Sequence, residues 1–85
     1  SKMKRFLFFI LTGTDNRDYY IATNTDIYDL TITLPALSEG KKWYRVADTS
    51  FSSPEDITES GMEELLREQR RYVLVSGSSI ILMSK

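Results

Sequence analysis

The sequence contains no histidine and no cysteine. Without histidine the chain cannot build a Ser-His-Asp or Cys-His nucleophilic site, nor an imidazole metal site. Without cysteine it can form neither a disulfide nor a thiolate metal site, so a domain of this size must be held together by packing alone or by docking to a partner. We therefore expect no bound metal ion and no cofactor.

Phosphate-binding loops and long apolar runs are also missing. The glycines Gly13, Gly40, Gly61 and Gly77 stand alone, outside the spacings that cradle phosphates, so nothing supports nucleotide binding. The apolar run over 6–11 has six residues, fewer than the roughly 7–15 of a signal-peptide core and too few to span a bilayer. We expect no membrane partner and a cytoplasmic location, bacterial rather than plastid.

The charges are balanced, with 11 basic and 12 acidic side chains and a formal net charge of −1. This balance removes the broad attraction that a phosphate backbone exerts on a basic protein. Nucleic acid is therefore not an expected partner. The basic group Lys2, Lys4 and Arg5 is interpreted as a solubility feature.

Six segments have the composition of β-strands, and turn-forming residues separate them. The 85 residues fit a single domain with a thin core. The segments are 6–11, 19–23, 30–34, 42–48, 72–75 and 79–83. We expect the first to be covered on both faces and the last two to form a hairpin around Gly77. This succession favours an all-β antiparallel sandwich or barrel over any βαβ arrangement.

Two segments leave alternatives open. Trp43 and Val46 have opposite parity, so they can face the same side of a strand only if a β-bulge intervenes. Ser60 and Glu63 have capping-box spacing and precede good helix formers, which predicts one possible short helix near residues 61–70.

Aromatic and acidic side chains supply the candidate site residues. Tyr28 and Trp43 offer flat rings for stacking on a sugar, and the alternative for Trp43 is core or interdomain packing. Asp48, followed by Thr49, is typical of a structural turn, and the alternative is a hydrogen bond to a ligand or a neighbouring domain. A carboxylate pair for glycoside hydrolysis is not recognisable from spacing, so no catalytic residue is assigned.

Four motifs follow one another in an order that resembles a known family. They are Tyr20-Ile21-Ala22-Thr23-Asn24, Leu30 to Pro35, Trp43 to Thr49, and a closing pair formed by Tyr72 to Val75 and Ser79 to Leu82. The order and spacing are similar to those of the C-terminal β domain of isoamylase-type debranching enzymes, which belong to the α-amylase superfamily (glycoside hydrolase family 13). The charged stretch 62–69 is less typical of that family.

The resemblance implies a small β-sandwich of Greek-key type, with residues 1–85 forming one accessory domain of a glycoside hydrolase. The expected partner is a catalytic (β/α)8 barrel that hydrolyses α-1,6 branch points in glycogen or starch. That barrel is absent from this chain, no catalytic residue of the family maps onto it, and we expect no enzymatic activity from the chain itself. The alternative is an α-glucan-binding module that uses Tyr28 and Trp43. A small carboxylate-based glycosidase is disfavoured because no cleft-forming architecture is evident.

Overall fold

The computed structural model describes residues 6–13 and 16–85, with side chains from Ile10 onward. The basic group at Lys2, Lys4 and Arg5 lies outside the described residues, as do Thr14 and Asp15 of the first turn.

Seven strands make up the described part of the chain. Their bounds are β1 (Phe6–Thr12), β2 (Asp18–Asn24), β3 (Leu30–Thr33), β4 (Trp43–Asp48), β5 (Glu64–Leu65), β6 (Arg71–Leu74) and β7 (Ser79–Ser84). They form a five-stranded sheet in the order β1-β2-β7-β4-β5 and a two-stranded sheet of β3 and β6. Every pairing is antiparallel. The prediction of an all-β antiparallel fold is confirmed.

The hydrophobic core lies between the two sheets. The five-stranded sheet contributes residues from β2, β4 and β7, and the two-stranded sheet contributes Ile32 and Leu74. Trp43 is 1% exposed and meets Tyr20 edge to face, with ring centroids 6.1 Å apart. Burial of these apolar side chains against one another is the main stabilising contribution in a domain without disulfides.

A bulge in β4 settles the parity question that the sequence left open. The register against β7 shifts between Arg45, which lies opposite Leu82, and Ala47, which lies opposite Ile81. Val46 is therefore the extra residue, and inward and outward positions change places beyond it. As a result Trp43 and Asp48, which are five positions apart, are both buried.

The short helix expected near 61–70 is wrong, and the described residues contain no helix. Gly61 has φ +87°, β5 pairs with β4, and the side chain of Gln69 bonds to both backbone groups of Trp43. The Glu63 carboxylate accepts from the Gly61 N–H in a turn instead of capping a helix. Pairing with the free edge of β4 has outweighed a weak local helix signal.

The hairpin expected for the last two strands is also wrong. β6 pairs with β3, while β7 pairs with β2 and β4 in the other sheet. Gly77, at φ +72°, therefore turns the chain from one sheet to the other.

The apolar run predicted a first strand covered on both faces, but the side chains described there, from Ile10 onward, are not covered in this way. β1 is an edge strand, and its described side chains Ile10 and Leu11 are 44% and 51% exposed. An unbroken apolar run therefore does not by itself place a strand in the middle of a sheet.

Candidate functional site

Asp48 lies at the end of β4 and is 2% exposed. Its Oδ1 accepts a hydrogen bond from the Ser50 N–H at 2.9 Å and another from the Ser50 hydroxyl at 2.7 Å. The adjacent Thr49 donates its N–H to Ser79 O at 3.0 Å, and its hydroxyl oxygen accepts from the Ser79 N–H at 2.9 Å. These bonds fix the turn and fasten it to the start of β7.

A third donor reaches Asp48 from the opposite sheet. The hydroxyl of Tyr72, on β6, donates to Oδ2 of Asp48. Burial, followed by this hydrogen bond to a carboxylate, raises the pKa of Tyr72 well above its ordinary value of 10.0. The Asp48–Tyr72 pair therefore joins the two sheets through a polar contact inside the sandwich.

Arg45 lies close to this pair. Its guanidinium carbon lies 4.4 Å from the ring centroid of Phe51, a cation–π distance, and its positive charge opposes the rise in the pKa of Tyr72. The Nε of Arg45 is buried and has no hydrogen-bond partner. The charged and polar groups of Asp48, Tyr72 and Arg45 therefore interact with groups inside the domain.

Trp43 lies in the core, and its polar groups are all bonded within the domain. Its indole N–H donates to Pro35 O at 3.0 Å, its backbone N–H to Gln69 Oε1 at 2.7 Å, and its carbonyl accepts from Gln69 Nε2 at 3.0 Å. A groove of about 400 Å³ passes beside it, lined also by Leu34, Lys41 and Arg70 among others. Because only 1% of the residue is exposed, its ring offers no stacking surface to a sugar in that groove.

Tyr28, in contrast, is 69% exposed, next to Ile27 at 75%. The loop that presents it is held by Asn24, a fully buried residue at the end of β2. Asn24 Nδ2 donates to the carbonyls of Tyr28 and Leu74 at 2.9 and 3.0 Å, and its Oδ1 accepts from the Asp26 N–H at 2.8 Å. The loop backbone is thus fixed while the phenol ring projects into solvent.

Sequence reasoning did not identify Asn24 or Tyr72 as key residues, although both lie in motifs quoted for the resemblance. Asn24 bonds to Leu74 O across 50 positions and Tyr72 bonds to Asp48 across 24. The spacing of neighbouring residues in the sequence does not reveal contacts between residues so far apart in the chain. The only signal was the position of Asn24 at the end of a strand, where an amide can bond to nearby backbone.

The four predicted residues do not converge on one site. Asp48 and Thr49 share a turn, Trp43 lies in the core, and Tyr28 projects from a separate loop. In the part of the chain that is described, no three acidic side chains group as a metal site would require. Nor do residues 6–13 and 16–85 include a helix long and apolar enough to cross a membrane.

A family model described as "Isoamylase 1-3, C-terminal" matches residues 1–82. No match was found among curated proteins or among solved structures. The family match covers all seven strands except the last two residues of β7, and it agrees with the resemblance found in the order of the motifs. The chain therefore belongs to the family of C-terminal domains of isoamylases 1–3.

Proposed function

We propose that this chain is the non-catalytic C-terminal domain of an isoamylase-type debranching enzyme, and that it stabilises the catalytic barrel of that enzyme. The barrel hydrolyses α-1,6 branch points of glycogen or starch and carries the catalytic acids. The observation that carries the proposal is the family match over residues 1–82 of this 85-residue chain.

The geometry of the predicted site residues supports a structural role. Asp48 accepts three hydrogen bonds from within the domain, and the polar groups of Trp43 are bonded to Pro35 and Gln69. A general acid or base must have a polar atom within reach of its substrate, and these groups are instead bonded to other residues of the domain. The bond from Tyr72 to Asp48 joins the two sheets, and the bonds of Trp43 hold the segments at Pro35 and Gln69 against β4.

The test compares the full-length debranching enzyme with a version that lacks this domain. We expect the truncated enzyme to lose activity at a lower temperature, because the barrel loses a packed neighbour. The isolated 85-residue chain should release no reducing sugar from a branched glucan. Hydrolysis by the isolated chain, or equal thermal stability of the two enzymes, would contradict the proposal.

A second candidate function is binding of α-glucans, and the exposed ring of Tyr28 is the observation that favours it. An aromatic face with a polar rim suits the C–H surface and hydroxyls of a sugar. Backbone amide NMR shifts recorded during titration with linear and branched glucans test this directly. Tyr28→Ala should abolish shifts around the loop, while Ile27→Ala, at a neighbouring exposed position, should retain them. An absence of shifts at millimolar glucan would exclude this second function.

A further inference from the structure

The five-stranded sheet has one face that points away from the core, which we call the outer face. It carries two apolar rows. Residues opposite each other on paired antiparallel strands share a face, so strand register defines the rows. The first row is Leu11, Tyr19, Met83, Tyr44 and Leu65, and the second is Ile21, Ile81, Ala47 and Ile57.

The centre and the margins of the outer face differ in exposure. Leu11, Leu65 and Ile57 at the margins are 51%, 54% and 64% exposed. Met83 at the centre is only 4% exposed, although it is not part of the core cluster between the sheets. Tyr19 and Tyr44 lie opposite it on the two neighbouring strands. Nη1 of Arg17, just before β2, lies 3.7 Å from the sulfur of Met83, so a basic side chain covers part of the middle of the outer face.

The other sheet shows how a water-facing surface of this domain is built. Its outward positions are Thr31 and Thr33 on β3 and Arg71 and Val73 on β6, so three of the four are polar. Antiparallel sheets with one face in water commonly alternate apolar inward and polar outward residues in this way. The outer face of the five-stranded sheet breaks that rule across all five strands.

Polar groups border the outer face at both ends. At one end the hydroxyls of Thr23 and Ser79 bond to each other at 2.9 Å. At the other end Lys85 pairs with Glu63 at 3.0 Å, and its Nζ lies 4.9 Å from the ring centroid of Tyr44. An apolar centre within a polar rim is the usual anatomy of a protein–protein interface.

We propose that the outer face is the surface by which this domain docks on the catalytic domain of its own enzyme. The proposal rests on the proposed function and names the surface that performs it. Family membership as a C-terminal domain supplies the partner.

The size of the outer face favours this partner over a second copy of the chain. Strands about 4.8 Å apart and rows about 7 Å apart give an apolar area of roughly 300–400 Å² for five strands. A stable complex between free partners buries about 800 Å² on each side, so the outer face alone is too small to hold a dimer. A domain joined to its partner by a linker needs less contact area, because the linker keeps the effective concentration of the domain at its partner at about 1 mM.

Hydroxyl-radical labelling of the full-length enzyme and of the isolated 85-residue chain tests the proposal. We expect labelling of Tyr19, Tyr44 and Leu65 to fall several-fold in the full-length enzyme relative to the isolated chain. Labelling of Val73, on the outward side of the other sheet, should not change.

A matched pair of variants, Leu65→Arg and Val73→Arg, adds a second measurement, because the two side chains are 54% and 53% exposed. Both variants of the isolated chain should unfold at nearly the same temperature as the unsubstituted chain. In the full-length enzyme, Leu65→Arg should restore labelling of Tyr44 and lower the temperature of inactivation, whereas Val73→Arg should do neither.

The outcomes separate failure of the docking surface from failure of the proposed function. Protection of Val73 with Tyr44 still labelled would overturn the docking surface and leave the supporting role intact. No protection of either sheet, together with unchanged enzyme stability after removal of the domain, would contradict the supporting role itself. Labelling of the isolated chain that falls as its concentration rises would assign the outer face to self-association and overturn the proposal.

Discussion

Tyr72→Phe tests the polar link between the two sheets. The substitution deletes one hydroxyl and keeps the ring, so the main loss is the hydrogen bond donated to Oδ2 of Asp48. Ser50 still donates two bonds to Oδ1, but Oδ2 loses its Tyr72 donor in a residue that is only 2% exposed. A hydrogen bond to a buried charged group contributes about 1.5–3 kcal/mol, so we expect a loss of about 2 kcal/mol in the free energy of unfolding.

The assay is thermal unfolding followed by circular dichroism, with Tyr28→Phe as the control. In a domain of this size a loss of about 2 kcal/mol lowers the unfolding midpoint by roughly 8–16 °C. Tyr28→Phe removes the same hydroxyl from a residue that is 69% exposed, and it should change the free energy of unfolding by less than about 0.5 kcal/mol. Equal midpoints for the two variants would refute the reasoning.

The pH dependence gives an independent check. The pKa of Tyr72 is raised in the folded state. The contribution of its protonated hydroxyl to the free energy of unfolding is therefore fully present below the ordinary tyrosine pKa of 10.0. It is lost as the pH rises above that value, where the unfolded chain releases the phenolic proton and the folded chain retains it. Burial also raises the pKa of Tyr20, so Tyr72→Phe should reduce the alkaline loss of stability without abolishing it. A variant with the same alkaline profile as the unsubstituted chain would contradict this account.

Three further predictions concern the loop, the core and the chain end. Asn24→Ala leaves the buried carbonyl of Leu74 without its donor and should cost about 3 kcal/mol in urea unfolding; a cost below about 1 kcal/mol would contradict the role assigned to the amide. Leu82→Ala, at a position with 0% exposure, should lower the free energy of unfolding by about 2–5 kcal/mol, whereas Val73→Ala should lower it by less than about 0.5 kcal/mol. Equal losses would contradict the placement of Leu82 in the core. The hydrogen bond from Lys85 lowers the pKa of Glu63 below 4.5, so the stabilisation that Glu63→Gln removes should be present at neutral pH and decline as the pH falls below 4.5 and through the lowered pKa; a difference between the two chains that does not change with pH would argue against the ion pair.

Local patterns predicted the strands well because strand composition is a property of a few neighbouring residues. The segment 30–34 was predicted as a strand, and in β3 the structure buries Ile32 and exposes Thr31 and Thr33. The partner of each strand is a non-local property, and here prediction failed. The turn at Gly77 reverses the chain as expected, yet nothing in its residues shows that β6 and β7 belong to different sheets.

The same distinction applies to the candidate site. The hydrogen bond from Ser50 to Asp48 spans two positions in sequence, and a local motif can describe a bond of this kind. The bond that Asp48 accepts from Tyr72 comes from the other sheet. The helix signal of Ser60 and Glu63 was likewise local, and long-range pairing of β5 with β4 overrode it. The burial of Trp43 depends on residues that are distant in sequence, such as Tyr20 and Gln69, and cannot be obtained from its neighbours in sequence.

The position of β7 in the sheet also constrains how the domain forms during synthesis. Among the strands that the structure describes, β7 comes last in the chain, but it lies in the middle of the sheet and is the sole connection between the β1–β2 pair and the β4–β5 pair. Until the ribosome has released residues 79–84, these two hairpins have no strand to join them, and isolated hairpins are marginally stable in water. A chain interrupted before Ser79 would therefore lack the strand that joins these two pairs, and the five-stranded sheet could not form.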